Sequence, residues 1–170
     1  MKVFILSFAI VLNLFCLEDP RALMSSISQH AMRVGDGPNN IYTFIDPLCS
    51  KSQLFFSLIT ERKDLQEKSS YYIFLYPLQK YNSDRIIQYI YQSPNPLSTL
   101  SEAILYQDYE TPDDFKLLQE TQTKIKEVAN VAQKMKIKRR PYLLIFDKGS
   151  KYCRVSEGTA PCLEEKDFID

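Results

Sequence analysis

Cys49 stands where one kind of sequence gives way to another. Ahead of it, Ile41-Tyr42-Thr43-Phe44-Ile45 is β-branched and aromatic with no breaker, the pattern of a buried strand, and Asp46-Pro47 closes it. Behind it, Leu54, Phe55, Leu58, Ile59 and Arg62 recur at helical spacing among Ser, Lys, Gln and Glu. A thiol at a strand-to-helix junction can be a nucleophile, because the thiolate is the attacking species and the free N–H groups and macrodipole of a first helical turn favour an anion. Lys51 adds a positive charge nearby, and Asp46 works in the opposite direction. The plainer reading keeps Cys49 as a small buried apolar side chain with no chemistry.

The other thiols and the N-terminus set the redox setting. Met1-Lys2 is followed by an apolar run from Val3 to Leu17, broken by Ser7 and Asn13, and then by Glu18-Asp19-Pro20. One positive charge, about 15 apolar residues and a polar exit fit a secretory signal better than a span, which needs roughly 20. Residues 1–22 therefore read as a signal peptide with Ala22 as a cleavage candidate, or as an uncleaved anchor, the one route by which the chain would touch a membrane. Cys16 suggests lipidation, but Phe15 is bulky where a lipoprotein signal needs a small residue. Export places Cys49, Cys153 and Cys162 where disulfides persist. Cys153 and Cys162 are near neighbours in sequence and form the expected structural disulfide, tying the last strand to the last helix and leaving Cys49 unpaired.

Several function classes fall away. The 170-residue chain carries 21 basic and 21 acidic residues, so no global field draws it to nucleic acid or an anionic membrane. His30 is the only histidine, which leaves neither a metal site nor a histidine-based triad, and nothing implies a cofactor. Lys134, Lys136, Lys138, Arg139 and Arg140 read either as a solvated helix end or as an anion or partner site. Tyr89, Tyr91, Tyr106 and Tyr109 read as packing or as a binding face.

The elements that must position Cys49 follow from pattern. Ala22 to Val34 reads as a short helix ended by Gly35-Asp36-Gly37-Pro38, so 23–40 is a helix and linker ahead of a single domain, 41–170. Tyr72 to Tyr76 is a second strand stopped by Pro77. A helical block over about 80–137 follows: Asn82 or Ser83 can cap a helix with Ile86, Ile87, Ile90 and Tyr91, and a short helix carries Leu97, Leu100, Ile104 and Leu105. Thr111-Pro112-Asp113-Asp114 predicts the start of a longer helix with Phe115, Leu118, Ile125, Val128, Ala132 and Met135 inward, running to about Lys136. Pro141 to Phe146 is a third strand, Asp147 to Ser150 a hairpin turn, and Lys151 to Ser156 the returning strand. A C-terminal helix with Leu163, Phe168 and Ile169 inward closes the chain. A β-α-β start implies parallel strands, and the short last connection forces the final pair antiparallel, giving an α/β fold with a mixed four-stranded sheet and a helical insertion before the third strand.

The segments "IYTFIDPLCSKSQLF", "YIFLYPLQKYNSD" and "KRRPYLLIFDKGS", with Gly158 and Ala160-Pro161 beyond them, resemble in order and spacing the periplasmic thioredoxin-fold disulfide isomerases of the DsbC and DsbG type. The resemblance spans about Ile41 to Ile169 and implies a thioredoxin-like fold, with Cys49 as the attacking thiol of a Cys-x-x-Cys motif and Pro141 as the cis-proline beside it. It also implies that Arg139 and Arg140 lie near the sulfur, where Arg140 would join Lys51 in stabilising a thiolate. The chain departs from that family in three respects: Ser52 replaces the second cysteine, Arg140 precedes the proline in place of a small or β-branched residue, and an N-terminal dimerisation domain is missing. The resemblance implies an exported protein, periplasmic by analogy, that exchanges or isomerises disulfides of protein partners through one active-site cysteine. The alternative is a redox-silent component or chaperone of an envelope assembly such as a secretion or conjugation system.

Overall fold

The computed structural model describes residues 19–107, 110–146 and 153–158. Its centre is β2 (Asn39–Ile45), paired in parallel with β3 (Ser69–Leu75) and antiparallel with β4 (Tyr142–Phe146). The parallel pair follows from the crossover between them, α2 (Ser50–Glu61) and α3 (Lys63–Lys68), which carries the chain back before β3 starts. β5 (Cys153–Glu157) runs antiparallel along β4.

The sheet has five strands, where the sequence predicts four. The segment read as one helix from Ala22 to Val34 divides into α1 (Pro20–Ile27), a 3₁₀ turn at Ser28–His30 and β1 (Met32–Val34). Asp19 caps α1 by accepting from Arg21 N at 3.0 Å, and Pro20 fills the first helical position. The period changes at Met32: Met32 and Val34 are buried and Arg33 is exposed, a strand alternation that pairs with the otherwise open edge of β3 (Met32↔Ile73, Val34↔Tyr71). The order across the sheet is β1-β3-β2-β4-β5. Gly37 permits the close return into β2, since a Cβ there would lie 2.1 Å from the Ser69 backbone nitrogen.

Strand alternation sends two sets of side chains to two helical layers. Ile41, Ile45, Tyr71, Ile73, Leu75, Leu143 and Ile145 meet Phe55, Phe56 and Ile59 of α2 and the inner faces of α4 (Asp84–Gln92) and α5 (Pro96–Leu105). Phe44, Phe74, Leu144 and Phe146 meet Leu23, Met24 and Ile27 of α1 and Val128, Val131 and Ala132 of α6 (Gln119–Lys134). Burying each such aliphatic or aromatic side chain contributes roughly 1.5–3 kcal/mol. The buried stripe of α2 is Ser52, Phe55, Phe56 and Ile59, so Leu54, expected inward, is 61% exposed.

The helical block forms with two corrections, one being that Leu118, expected inward, precedes the long helix and is 58% exposed. The long helix starts at Gln119, after Thr111-Pro112-Asp113-Asp114 rather than at it. The intervening segment is tied to α4 in a non-helical path: Arg85 donates to Thr111 Oγ1 and to the Pro112 carbonyl, and Gln92 holds both the Lys116 carbonyl and the Leu118 N–H. Tertiary hydrogen bonds thus override a strong local cap signal. The expected turn at Asp147–Ser150 and the C-terminal helix carrying Leu163, Phe168 and Ile169 lie outside the described residues.

Candidate functional site

The C-terminal end of β2 builds the site. After Ile45 the chain turns through Asp46-Pro47-Leu48, closed by Cys49 N donating to Asp46 O at 3.0 Å. Cys49 occupies the N-cap of α2 in extended backbone (φ −86°, ψ 117°), and its carbonyl accepts the first helical bond from Gln53 N at 2.9 Å. Its side chain makes no capping bond, so the thiol lies at the positive pole of a 12-residue helix without closing it. The residue is 4% exposed.

Asp46 organises what surrounds the thiol. It is fully buried; Oδ1 accepts from Leu48 N at 2.9 Å, and Oδ2 accepts from Leu78 N at 2.5 Å and Ser83 Oγ at 2.7 Å. One carboxylate therefore fixes the turn after β2 and the path from β3 into α4. Ser83 holds the N-cap position of α4, as its sequence context predicts, yet its hydroxyl is donated to Asp46 and makes no cap bond. Ser52 is fully buried, and its Oγ accepts the Asp46 N–H at 3.3 Å.

The Arg140–Pro141 peptide is cis. Arg140 turns inward and is 3% exposed, with Nε donating to the Tyr76 carbonyl and Nη1 to the Arg139 carbonyl, both at 2.9 Å. Its guanidinium sits 4.2 Å from the Tyr76 ring centroid. Burial pulls its pKa down to about 10, against the opposing fields of Tyr76, Asp46, Cys49 and Glu157. Lys80 is raised above the ordinary lysine value by its hydrogen bond to Tyr81 and then by Tyr81, Cys49 and Asp46. Two cations thus share a field with Cys49 and Asp46.

Gly158 closes the third side. Its N–H donates to the Pro141 carbonyl at 2.8 Å, and its own carbonyl accepts from Lys51 Nζ at 2.5 Å. Its φ of +70° favours glycine, and a Cβ would meet Arg139 Cδ at 3.3 Å. Lys51 therefore tethers the end of β5 to the first turn of α2, and the Arg139 stem lies against Gly158 while Arg140 points inward.

Cys49, Lys51, Ser52, Arg140 and Pro141 are gathered at the end of the sheet where β2 finishes and β4 begins. Cys153 belongs elsewhere: it pairs with Phe146 at the opposite end of β5, half-buried against the α1–α6 layer as a free thiol, and Cys162 lies outside the described residues. The basic run does not act as a unit, because Lys134, Lys136, Lys138 and Arg139 are exposed and Arg140 is buried. Nor do the three described tyrosines, Tyr89, Tyr91 and Tyr106, form a face. Tyr91 is core, its hydroxyl accepting from Leu75 N at 2.8 Å, Tyr106 is exposed, and Tyr109 is not among the described residues. His30 pairs with Glu127 at 2.6 Å, between the 3₁₀ turn and α6. Among the described residues, no group of three or more His, Cys, Asp or Glu side chains could hold a metal, and no helix is long and apolar enough to cross a membrane. Sequence reasoning missed Tyr76, Lys80 and Ser83 as neighbours of the site. They come together only through the fold, and the Asp-Pro at the strand end was the one signal for Asp46.

No protein-family model matches the sequence, and no curated protein does. Solved structures do match. A disulfide interchange protein from Neisseria gonorrhoeae superposes with a TM-score of 0.60 at 14% identity, over 82% of this chain and 93% of that one. The catalytic domain of Proteus mirabilis ScsC gives 0.55 at 14% identity, over 82% and 90%. A periplasmic thioredoxin-like protein from Salmonella enterica serovar Typhimurium gives 0.53 at 13% identity, over 84% and 88%. The chain has a thioredoxin-like α/β fold with a five-stranded mixed sheet.

Proposed function

We propose that the chain is an exported thioredoxin-fold protein that exchanges disulfides of client proteins through Cys49. The observation that carries the reading is Cys49 at the N-terminus of α2, at the end of the sheet where β2 finishes and Arg140–Pro141 leads into β4, in the field of the buried Arg140 guanidinium. A thiolate there attacks one sulfur of a client disulfide, the client S–S bond breaks, a mixed disulfide forms, and the displaced client thiolate takes a proton from solvent. Ser52 carries no thiol and its oxygen is bonded to the Asp46 N–H, so the helix supplies no second sulfur to release the client. Isomerisation and exchange with outside thiols fit this arrangement.

The 4% exposure of Cys49 favours the second reading, a redox-silent component or chaperone of an envelope assembly. Export rests on the Met1–Leu17 pattern. Leu23, Met24 and Ile27 of α1 are core residues and Arg21 lies 4.3 Å over the Phe146 ring, so a cut at Ala22 would sever the first turn of a packed helix; processing ahead of Asp19 fits better.

The test is alkylation of the native chain at neutral pH, with each cysteine followed by mass spectrometry, alongside refolding of a scrambled disulfide protein. Cys49 is expected to react in the folded state, and Cys49→Ala to lose the refolding activity. No reaction at Cys49 before unfolding, or full activity in Cys49→Ala, would return the protein to the redox-silent reading.

A further inference from the structure

The exchange chemistry proposed for Cys49 leaves a client bound, since Ser52 carries no thiol to release it. Release then falls to a thiol from outside the helix, and Arg140 is placed to select it. The guanidinium is anchored where the central strands end. Nε donates to the Tyr76 carbonyl, and Tyr76 N donates in turn to the carbonyl of Ile45, the last residue of β2 before the turn that carries Cys49. Nη1 donates to the Arg139 carbonyl, so both partners are neutral. Asp46 and Glu157 act on the cation only through space, and the Asp46 oxygens are already taken by Leu48, Leu78 and Ser83. Nη2 makes no hydrogen bond among the described residues, and the Cys49 sulfur does not accept from it. A side chain that is 3% exposed thus keeps one terminal nitrogen with its donors open.

A buried cation with open donors is a receptor for an anion, because the low local dielectric strengthens the attraction and the planar fork matches the two oxygens of a carboxylate. Lys51 and Arg139, both against Gly158, and Lys80, whose charge reaches Cys49, are exposed and give the surroundings the same sign, with the exposed Glu157 opposing them. Carboxylate is the anion that accompanies a thiol in amino-acid derivatives and peptides.

We propose that the thiol which releases clients from Cys49 carries a carboxylate and that Arg140 Nη2 receives it, an inference that rests on the exchange reading above. The partner thiol gives its proton to solvent, and its thiolate attacks Cys49 Sγ in the mixed disulfide. The Cys49–client bond breaks, and the client leaves as a thiolate that takes a proton from solvent. A second molecule of the same thiol, likewise deprotonated, attacks the sulfur of the first, forming their disulfide and returning Cys49 as a thiolate. The client disulfide is the oxidant and ends as two thiols; the two partner thiols end as one disulfide, so atoms and electrons balance.

The experiment uses the full chain with Cys16→Ser, Cys153→Ser and Cys162→Ser, so that Cys49 is the only thiol. Cys49 is loaded with a neutral pyridyl disulfide, and release of the absorbing pyridine thione is timed with mercaptopropionate and with its amide, each rate divided by that on a free cysteine mixed disulfide. The carboxylate is expected to be favoured about 10-fold, the scale of one charge-assisted hydrogen bond. Most of that preference should survive about 1 M salt, which screens exposed charges beyond roughly 3 Å. In Arg140→Gln the preference is expected to vanish, and the ratio cancels any effect of the substitution on Cys49 itself; if that variant does not fold, the salt series on the parent decides. Two cysteine peptides, with Asp or Asn beside the cysteine, are run in parallel. Preference confined to the small pair names a free small thiol as the partner, and preference in the peptides names an acidic protein thiol. Equal normalised rates in both pairs, a preference lost in salt, or one kept in Arg140→Gln overturns this inference and leaves exchange at Cys49 standing. Failure of Cys49 to load in the folded chain overturns both.

Discussion

Replacing Asp46 by alanine is expected to destabilise the fold by about 3 kcal/mol, because one carboxylate satisfies three donors from three parts of the chain. Leu48 N, Leu78 N and Ser83 Oγ lie 2.9, 2.5 and 2.7 Å from its two oxygens. Hydrogen bonds to a charged acceptor contribute about 1.5–3 kcal/mol each. Three of them set an upper bound well above the expected value, and two effects reduce it: Leu48 and Leu78 are only half-buried, so water can reach their amides, and removing a buried carboxylate relieves its desolvation. The fully buried Ser83 hydroxyl has no such relief. With a urea slope of about 2 kcal/mol/M the midpoint should fall by about 1.5 M. Ser83→Ala removes one of the same bonds and is expected to cost about 1–2 kcal/mol. The two substitutions together should cost less than their sum by about 1 kcal/mol, since they delete a shared interaction. A midpoint for Asp46→Ala within about 0.5 M of the parent, or strict additivity with Ser83→Ala, would refute the claim that Asp46 pins the site.

Two further outcomes follow from backbone packing and buried phenols. Gly37→Ala would put a Cβ 2.1 Å from Ser69 N and 2.2 Å from the Lys68 carbonyl carbon, both backbone atoms with no side-chain slack; a loss of about 3 kcal/mol and a melting temperature about 6–12 °C lower are expected, and an unchanged melt would show that the β1–β2 link can move freely. Burial raises Tyr71 to about 12 and raises Tyr91 further. Above about pH 10 the unfolded chain ionises these phenols while the folded chain keeps them protonated. The unfolded state then binds fewer protons, so stability, intact below about pH 10, falls as pH rises toward 12. Urea midpoints across that range should decline, with the phenolate absorbance of these two tyrosines developing only on unfolding; full ionisation in a chain that stays folded would contradict their burial.

Much of the framework was legible because it rests on local signals. The unbroken apolar runs at Ile41 and Tyr72 became β2 and β3, the helical spacing after Cys49 became α2, and the run from Tyr142 became β4. A helical crossover forces parallel strands and a short link forces antiparallel ones, so β2, β3, β4 and β5 followed from connection lengths. Cys49 at a helix start was also local, being the meeting of a period of two with a period of 3.6.

What the tertiary structure decided is where local signals compete with distant partners. Met32–Val34 is too short to declare itself a strand and became one because β3 offered an open edge. Thr111-Pro112 is a strong helix start, yet Arg85 and Gln92 hold that segment out of the helix. Ser83 holds a cap position, but Asp46, 37 residues away, takes its hydroxyl. The same physics governs the site. The sequence by itself determined that a thiol stands at the start of a helix after a buried strand. Only the fold brings the Arg140 guanidinium, the Lys80 ammonium and the Gly158 carbonyl around that helix start, because a hydrogen bond or a charge acts through space while sequence patterns report neighbours along the chain.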